Sequence, residues 1–105
     1  MAQTSESMLD HATAAAALLK AMANENRLMI LCSLLGGELS VGELNARVPL
    51  SQSALSQHLA ALREAGLVAA RKEAQSVIYR VSGEAATQII RVLQQIYCPN
   101  LPSED

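Results

Sequence analysis

The strongest constraint on the fold is a change of period at Gly66. Before it, Leu55, Leu59 and Leu62 recur at the spacing of one helix face. After it, Val77, Tyr79 and Val81 alternate with Ile78 and Arg80. The first pattern belongs to an amphipathic helix and the second to a half-buried strand. The chain must therefore pass from a helix into a hairpin across one glycine. Leu67 to Lys72 supplies the hairpin's other strand, with the turn around Ala74-Gln75.

Start and stop signals divide the remainder. Ser7 to Met22 reads as an alanine-rich helix with Ala12, Ala15, Ala16 and Leu19 at helical spacing. Asn24 caps a second helix, Glu25 to Leu35, which Gly36-Gly37 ends. Ser40-Val41-Gly42-Glu43 has the capping-box pattern and starts a short helix to about Val48. Pro49 breaks it, and Ser51 caps a longer helix from Gln52 to Ala65. Ser82 is expected to cap a last helix, with Ala85, Ile89, Val92, Leu93 and Ile96 as one apolar stripe. Pro99 keeps that helix from running much past Cys98. The expected fold is mainly α with a small β-hairpin: four helices, two strands and a final helix in a single domain, 1–105.

At 105 residues and 50% apolar content the chain can build one core, which excludes full disorder. No apolar run approaches the ~18 residues of a membrane span. Residues 1–10 lack a positive start followed by an apolar run, so a cytoplasmic protein is expected. With Tyr79 and Tyr97 as the sole aromatics, stacking of single-stranded bases is not the expected chemistry. A short domain buries a low share of its surface, so pairing of two chains is the default expectation. No nucleophile–base pair, paired carboxylates or phosphate-binding glycine loop is evident. The expectation is no enzyme, no catalytic residue and no cofactor.

Net charge is −2, which argues against nucleic acid until its distribution is considered. Between Asn45 and Arg80 there are five basic residues and two acidic ones, a balance of +3 that leaves −5 elsewhere. Such a chain can grip a polyanion on one face and stay soluble on the others. On the helix from Gln52, the residues Ser53, Ser56, Gln57 and Ala60 lie away from the leucine stripe. Short polar tips beside a small residue suit entry into a major groove, and glutamine can pair bidentately with adenine. Gln52 and Arg63 are candidate phosphate contacts. Arg71, Lys72, Gln75 and Ser76 lie where a hairpin wing would reach the minor groove or backbone. Taken alone, the same polar residues also suit a helix and hairpin turned to water. His58, at the edge of the leucine stripe, reads as a packing or hydrogen-bonding residue, and His11 as an exposed polar one.

The run LSQSALSQHLAALR (Leu50 to Arg63), the following EAGLV, the strand ending Val77-Ile78-Tyr79 and the stretch AMANENRLMILC (Ala21 to Cys32) resemble the ArsR/SmtB family of winged-helix repressors. The likeness spans about Leu18 to Cys98. It implies a winged helix-turn-helix, with the helix-turn-helix at about 40–65 and the wing at about 67–81. It also implies a homodimer paired through helices at about 7–22 and 83–98. Binding to an inverted-repeat operator in double-stranded DNA, with release when an inducer acts, is implied as well. Many members sense metals. This chain departs from them: Ser40 and Gly42 stand where metal-sensing members carry the cysteines of ELCVCDL, and the last helix has no histidine. No metal site is expected, since such ions need thiolates or imidazoles.

Cys32 and Cys98 resemble in position the cysteines of the family's thiol- and persulfide-sensing branch, as does the ending IYCPN. That likeness implies repression relieved by a Cys32–Cys98 disulfide or polysulfide in response to reactive sulfur species or oxidants. The alternatives are an activator that relieves silencing of virulence genes without any thiol switch and, behind it, a metal-responsive repressor. By its position among Leu28, Leu31 and Leu35, Cys32 is expected to be largely buried. A direct disulfide needs Cα atoms within ~7 Å, whereas added sulfur atoms span a wider gap.

Overall fold

The computed structural model describes residues 5–98. Its elements run α1 (Ser5–Met22), α2 (Glu25–Leu35), β1 (Leu39–Ser40), α3 (Val41–Arg47), α4 (Gln52–Glu64), β2 (Val68–Glu73), β3 (Ser76–Val81) and α5 (Ala85–Tyr97). The helix stop assigned to Pro99 lies outside the described residues.

Local chemistry sets most of these boundaries. The Asn24 side chain accepts from the backbone N–H groups of Asn26 and Arg27 at the start of α2. Ser40 Oγ accepts from Glu43 N–H while Glu43 Oε1 accepts from Ser40 N–H, closing a reciprocal cap on α3. Ser51 Oγ accepts from Ala54 N–H at 3.1 Å. Between α3 and α4, Asn45 Nδ2 donates to the Leu50 carbonyl at 2.8 Å, tying the helix to the turn that follows it. Gly66 has φ +80, a conformation a side chain resists, and turns the chain from α4 toward β2.

The core is aliphatic throughout. Ile30, Leu31 and Leu34 of α2 meet Leu44 and Val48 around α3, Leu55, Leu59 and Leu62 of α4, and Ala86 and Ile90 of α5. Each fully buried leucine or isoleucine contributes roughly 1.5–3 kcal/mol. None of the buried residues among those described is polar.

Two expectations need correction. The sheet has three strands in the order β1-β3-β2, all antiparallel, and not a hairpin alone. Leu39 pairs with Tyr79 and Ser40 with Ile78, so Ser40 serves the ladder and caps α3 at once. Ser82 does not cap α5. The residue before that helix is Glu84, which makes no side-chain cap bond. Gly83 at φ +79 turns the chain first, and Ser82 N–H donates to the Leu67 carbonyl beside β2.

Much of α1 is left uncovered. Ala12 to Ala17 are exposed, as are Met8, Leu9 and Leu19. On α5, Val92, Ile96 (60% exposed) and Tyr97 (77%) form a second uncovered apolar face. No helix among the described residues is long and apolar enough to cross a membrane.

Candidate nucleic-acid interface and thiol cleft

The leucine stripe of α4 is fully buried, which fixes the helix's rotation about its axis. Gln52, Ser53, Ser56, Gln57, Ala60 and Arg63 are consequently all exposed. The first turn of α4 holds no acidic residue, so its unpaired N–H groups face no competing carboxylate of their own helix. Across the turn, His58 Nδ1 accepts from Arg27 Nε at 3.1 Å, and Arg27 Nη1 donates to the Ala21 carbonyl at 3.1 Å. His58 is thus a hydrogen-bonding residue that ties α4 to α2 and to the end of α1. His11 is exposed.

In the wing, Arg71, Lys72, Gln75 and Ser76 are exposed. Arg71 does not stand alone there. Its Nη1 lies 2.7 Å from Glu38 Oε1 and its Nη2 lies 3.6 Å from Glu73 Oε1. The bond to Glu38 is the main reason its guanidinium is held even more firmly protonated than usual. Arg47, counted with the basic middle of the sequence, sits elsewhere, at the end of α3. The positive charge left free among the described residues of α4 and the wing is that of Arg63, Lys72 and Arg80. Arg80, exposed on β3, is not singled out by the sequence.

The two thiols lie on another face, near enough for one to feel the other's charge. Cys32 is exposed, contrary to the expectation of a buried residue. The buried side of α2 is formed by Ile30, Leu31 and Leu34, while Leu28 and Leu35, on the side of Cys32, are only partly covered. Cys98, also exposed, ends α5 and donates its N–H to the Gln94 carbonyl at 2.7 Å. Although 66 positions apart in sequence, the thiols interact: Cys32 is pushed above the usual thiol range, first by partial loss of hydration and second by the charge of Cys98. Packing of α2 against α5 brings them into this relation.

Beside Cys32 lies a cleft of about 190 Å³. Its walls include Leu35 and Gly36 at the end of α2, Arg47 from α3, and Arg91 and Gln94 from α5. Arg91, Gln94 and Cys98 follow one another at helical spacing and share a side of α5. Neither arginine is marked as part of a site by its sequence neighbours, because their meeting depends on three helices packing together. Among the described residues no group of three or more His, Cys, Asp or Glu side chains is gathered to hold a metal ion.

Comparison with known proteins adds a family. The family of bacterial regulatory proteins named for ArsR matches residues 24–70, from the cap of α2 into β2. The chain is 57% identical over 93 residues to the transcriptional activator HlyU of Vibrio cholerae, covering 89% of this chain and 86% of that protein. The solved structure of reduced HlyU from Vibrio cholerae superposes with a TM-score of 0.84, covering 89% of this chain and 98% of that one. The chain is also 46% identical over 91 residues to the biofilm growth-associated repressor of Agrobacterium fabrum, covering 87% and 78% of the two chains. A homodimeric winged helix-turn-helix DNA-binding domain from Mycobacterium bovis matches with a TM-score of 0.77 at 32% identity, covering 91% of this chain and 89% of that one. This chain belongs to the ArsR family, DNA-binding winged helix-turn-helix regulators of transcription.

Proposed function

We propose that the protein is a cytoplasmic homodimeric repressor whose grip on an inverted-repeat operator is released when Cys32 and Cys98 are linked. The observation that supports this reading is the placement of Cys32 on α2 and Cys98 at the end of α5, two helices that pack against each other. Cytosolic thiol pairs of this kind are more often sensors than structural bridges.

Dimer formation uses the uncovered apolar faces of α1 and α5. Exposed Leu9, Leu19, Val92 and Ile96 are costly in water and gain by burial against a second copy. Two copies of α4 then enter successive major grooves ~34–36 Å apart. Ser53, Ser56 and Gln57 read bases, Gln52 and Arg63 hold phosphates, and the wing contributes Lys72, Gln75 and Ser76 with Arg71 in a lesser role.

The switch works through packing. Helix α2 touches α3, α4 and α5. A covalent link from Cys32 to Cys98 draws the end of α5 toward α2 and shifts the scaffold that spaces the two recognition helices. A persulfide RSSH supplies the chemistry. The Cys32 thiolate attacks its outer sulfur, RSH leaves and Cys32 carries a persulfide. Attack by Cys98 on the Cys32 sulfur then closes the disulfide and releases hydrogen sulfide. Alternatively, the Cys32 persulfide attacks a second RSSH, and Cys98 displaces hydrogen sulfide from the outer end of the extended chain to close a trisulfide. A misplacement worth about 1.4 kcal/mol changes affinity tenfold.

The experiment is titration of DNA with the reduced and the persulfide-treated protein, the operator being selected from a random pool with the reduced form. A second reading, favoured by the activator name of the Vibrio relative, is an anti-silencing DNA binder with no thiol switch. In-cell regulation that survives replacement of both cysteines by serine would establish that alternative.

A further inference from the structure

We propose that the cleft beside Cys32 is a docking site for a small carboxylate-bearing sulfur donor, a persulfide or disulfide, held by Arg47 and Arg91. This deepens the thiol-switch reading and rests on it for its biological purpose, but its geometry stands apart from DNA binding.

Four observations carry it. The cleft brings a nucleophilic sulfur and two guanidinium groups to one place. Among the described residues neither Arg47 nor Arg91 has a carboxylate partner, whereas Arg71 has two and Arg27 spends its donors on His58 and Ala21. Cys32 stays pushed above the usual thiol range although both guanidinium groups line the cleft beside it. Finally, Arg91, Gln94 and Cys98 share one side of α5, while the uncovered apolar residues Val92 and Ile96 lie well around the helix from it. A second copy seated on Val92 and Ile96 would approach α5 from a different side than the cleft.

Size and charge narrow the occupant. A cleft of about 190 Å³ is below the ~300 Å³ at which sites for larger organic ligands begin, so the donor is of amino-acid size. Guanidinium groups pair with carboxylates through two parallel hydrogen bonds. They also offset a local disadvantage, because α2 and α5 both end here and turn the negative ends of their dipoles toward the cleft. Without the arginines an anion would be repelled. With a persulfide the step is Cys32–SH plus RSSH giving Cys32–SSH plus RSH. The Cys32–sulfur bond forms, the donor S–S bond breaks, and the leaving thiolate takes up the proton that Cys32 gave.

The test uses the full chain with Cys98→Ser, so that Cys32 reacts alone. Rates of Cys32 modification are measured with two dianionic or anionic donors, dithiodipropionate and mercaptopropionate persulfide, and with their neutral counterparts, hydroxyethyl disulfide and mercaptoethanol persulfide. Each rate is divided by that of the same donor with free mercaptoethanol. The expected result is about a tenfold preference for the anionic donors, reduced by salt. Arg47→Gln with Arg91→Gln abolishes the preference, read as the ratio of anionic to neutral rates within the same variant, whereas Lys20→Gln leaves that ratio intact. Mass spectrometry separates sulfur transfer from mixed-disulfide formation and so tells which donor class the cleft favours. Circular dichroism checks that the double variant folds, as two exposed positions should permit. An equal preference in the double variant, or none in the parent, overturns the docking site. A preference that persists while DNA binding ignores Cys32 modification supports the docking site and removes the switch.

Discussion

Arg27 on α2 donates through Nε to His58 Nδ1 on α4, 31 positions away, and through Nη1 to the Ala21 carbonyl at the end of α1. One side chain thereby ties three helices together. Hydrogen bonds to a charged donor contribute about 1.5–3 kcal/mol, less at a half-buried site. Arg27→Ala is expected to lower stability by about 1–2 kcal/mol in urea unfolding. His58→Gln, which keeps an acceptor, should cost less than His58→Ala. Equal costs for the two His58 variants would show that the bond contributes nothing.

The tip of the wing holds a local conflict. Ala74 has φ +56 in the two-residue turn between Glu73 and Ser76. A side chain in that region costs about 1–2 kcal/mol, part of which glycine returns as lost chain entropy. Ala74→Gly is expected to raise stability by about 0.5–1 kcal/mol, read as a higher Tm. Ala74→Val should lower it.

The Glu38–Arg71 pair predicts the ranking of wing variants on DNA. Glu38 already pairs with Arg71, so a DNA phosphate would have to displace it. Lys72→Ala should weaken binding about equally across sequences and reduce the salt slope by about one. Arg71→Ala should cost less than that, and Glu38→Gln should strengthen binding by freeing the guanidinium. Fluorescence anisotropy over a salt series measures all three, and weaker binding by Glu38→Gln would contradict the assignment.

The rise of the Cys32 thiol gives a pH dependence with a definite sign. A raised pKa means less thiolate at a given pH, and the thiolate is the nucleophile. The alkylation rate of Cys32 should therefore climb about tenfold per pH unit through neutrality and level off later than that of a free thiol. Cys98→Ser removes the charge that opposes ionisation, so the whole curve should move to lower pH. A curve unmoved by that substitution would mean the two thiols do not sense each other.

What the sequence discloses is mostly local. The caps at Asn24, Ser40 and Ser51 work within three residues of the helices they start, so they are visible in a short window. The leucine stripe of α4 and the alternation around Tyr79 are visible for the same reason. Strand β1 is not, because two residues carry no period and Ser40 already has a role as a cap. Burial of Cys32 is overestimated from the sequence since its neighbours there, Leu28 and Leu35, are themselves only half covered. The charge count between Asn45 and Arg80 overstates the free charge of α4 and the hairpin. Glu38 neutralises Arg71 from outside that window, and Arg47 turns to the thiol cleft. Such long-range pairings leave no mark at fixed spacing.

The central claim is that linking Cys32 to Cys98 loosens the protein's hold on its operator. Gel shift with the selected inverted repeat tests it directly, comparing reduced protein, persulfide-treated protein and the Cys32→Ser/Cys98→Ser variant treated alike. The account predicts at least a tenfold loss of affinity in the treated protein, a linked species by mass spectrometry, and no loss in the variant. Unchanged binding by a protein shown to carry the link would contradict it.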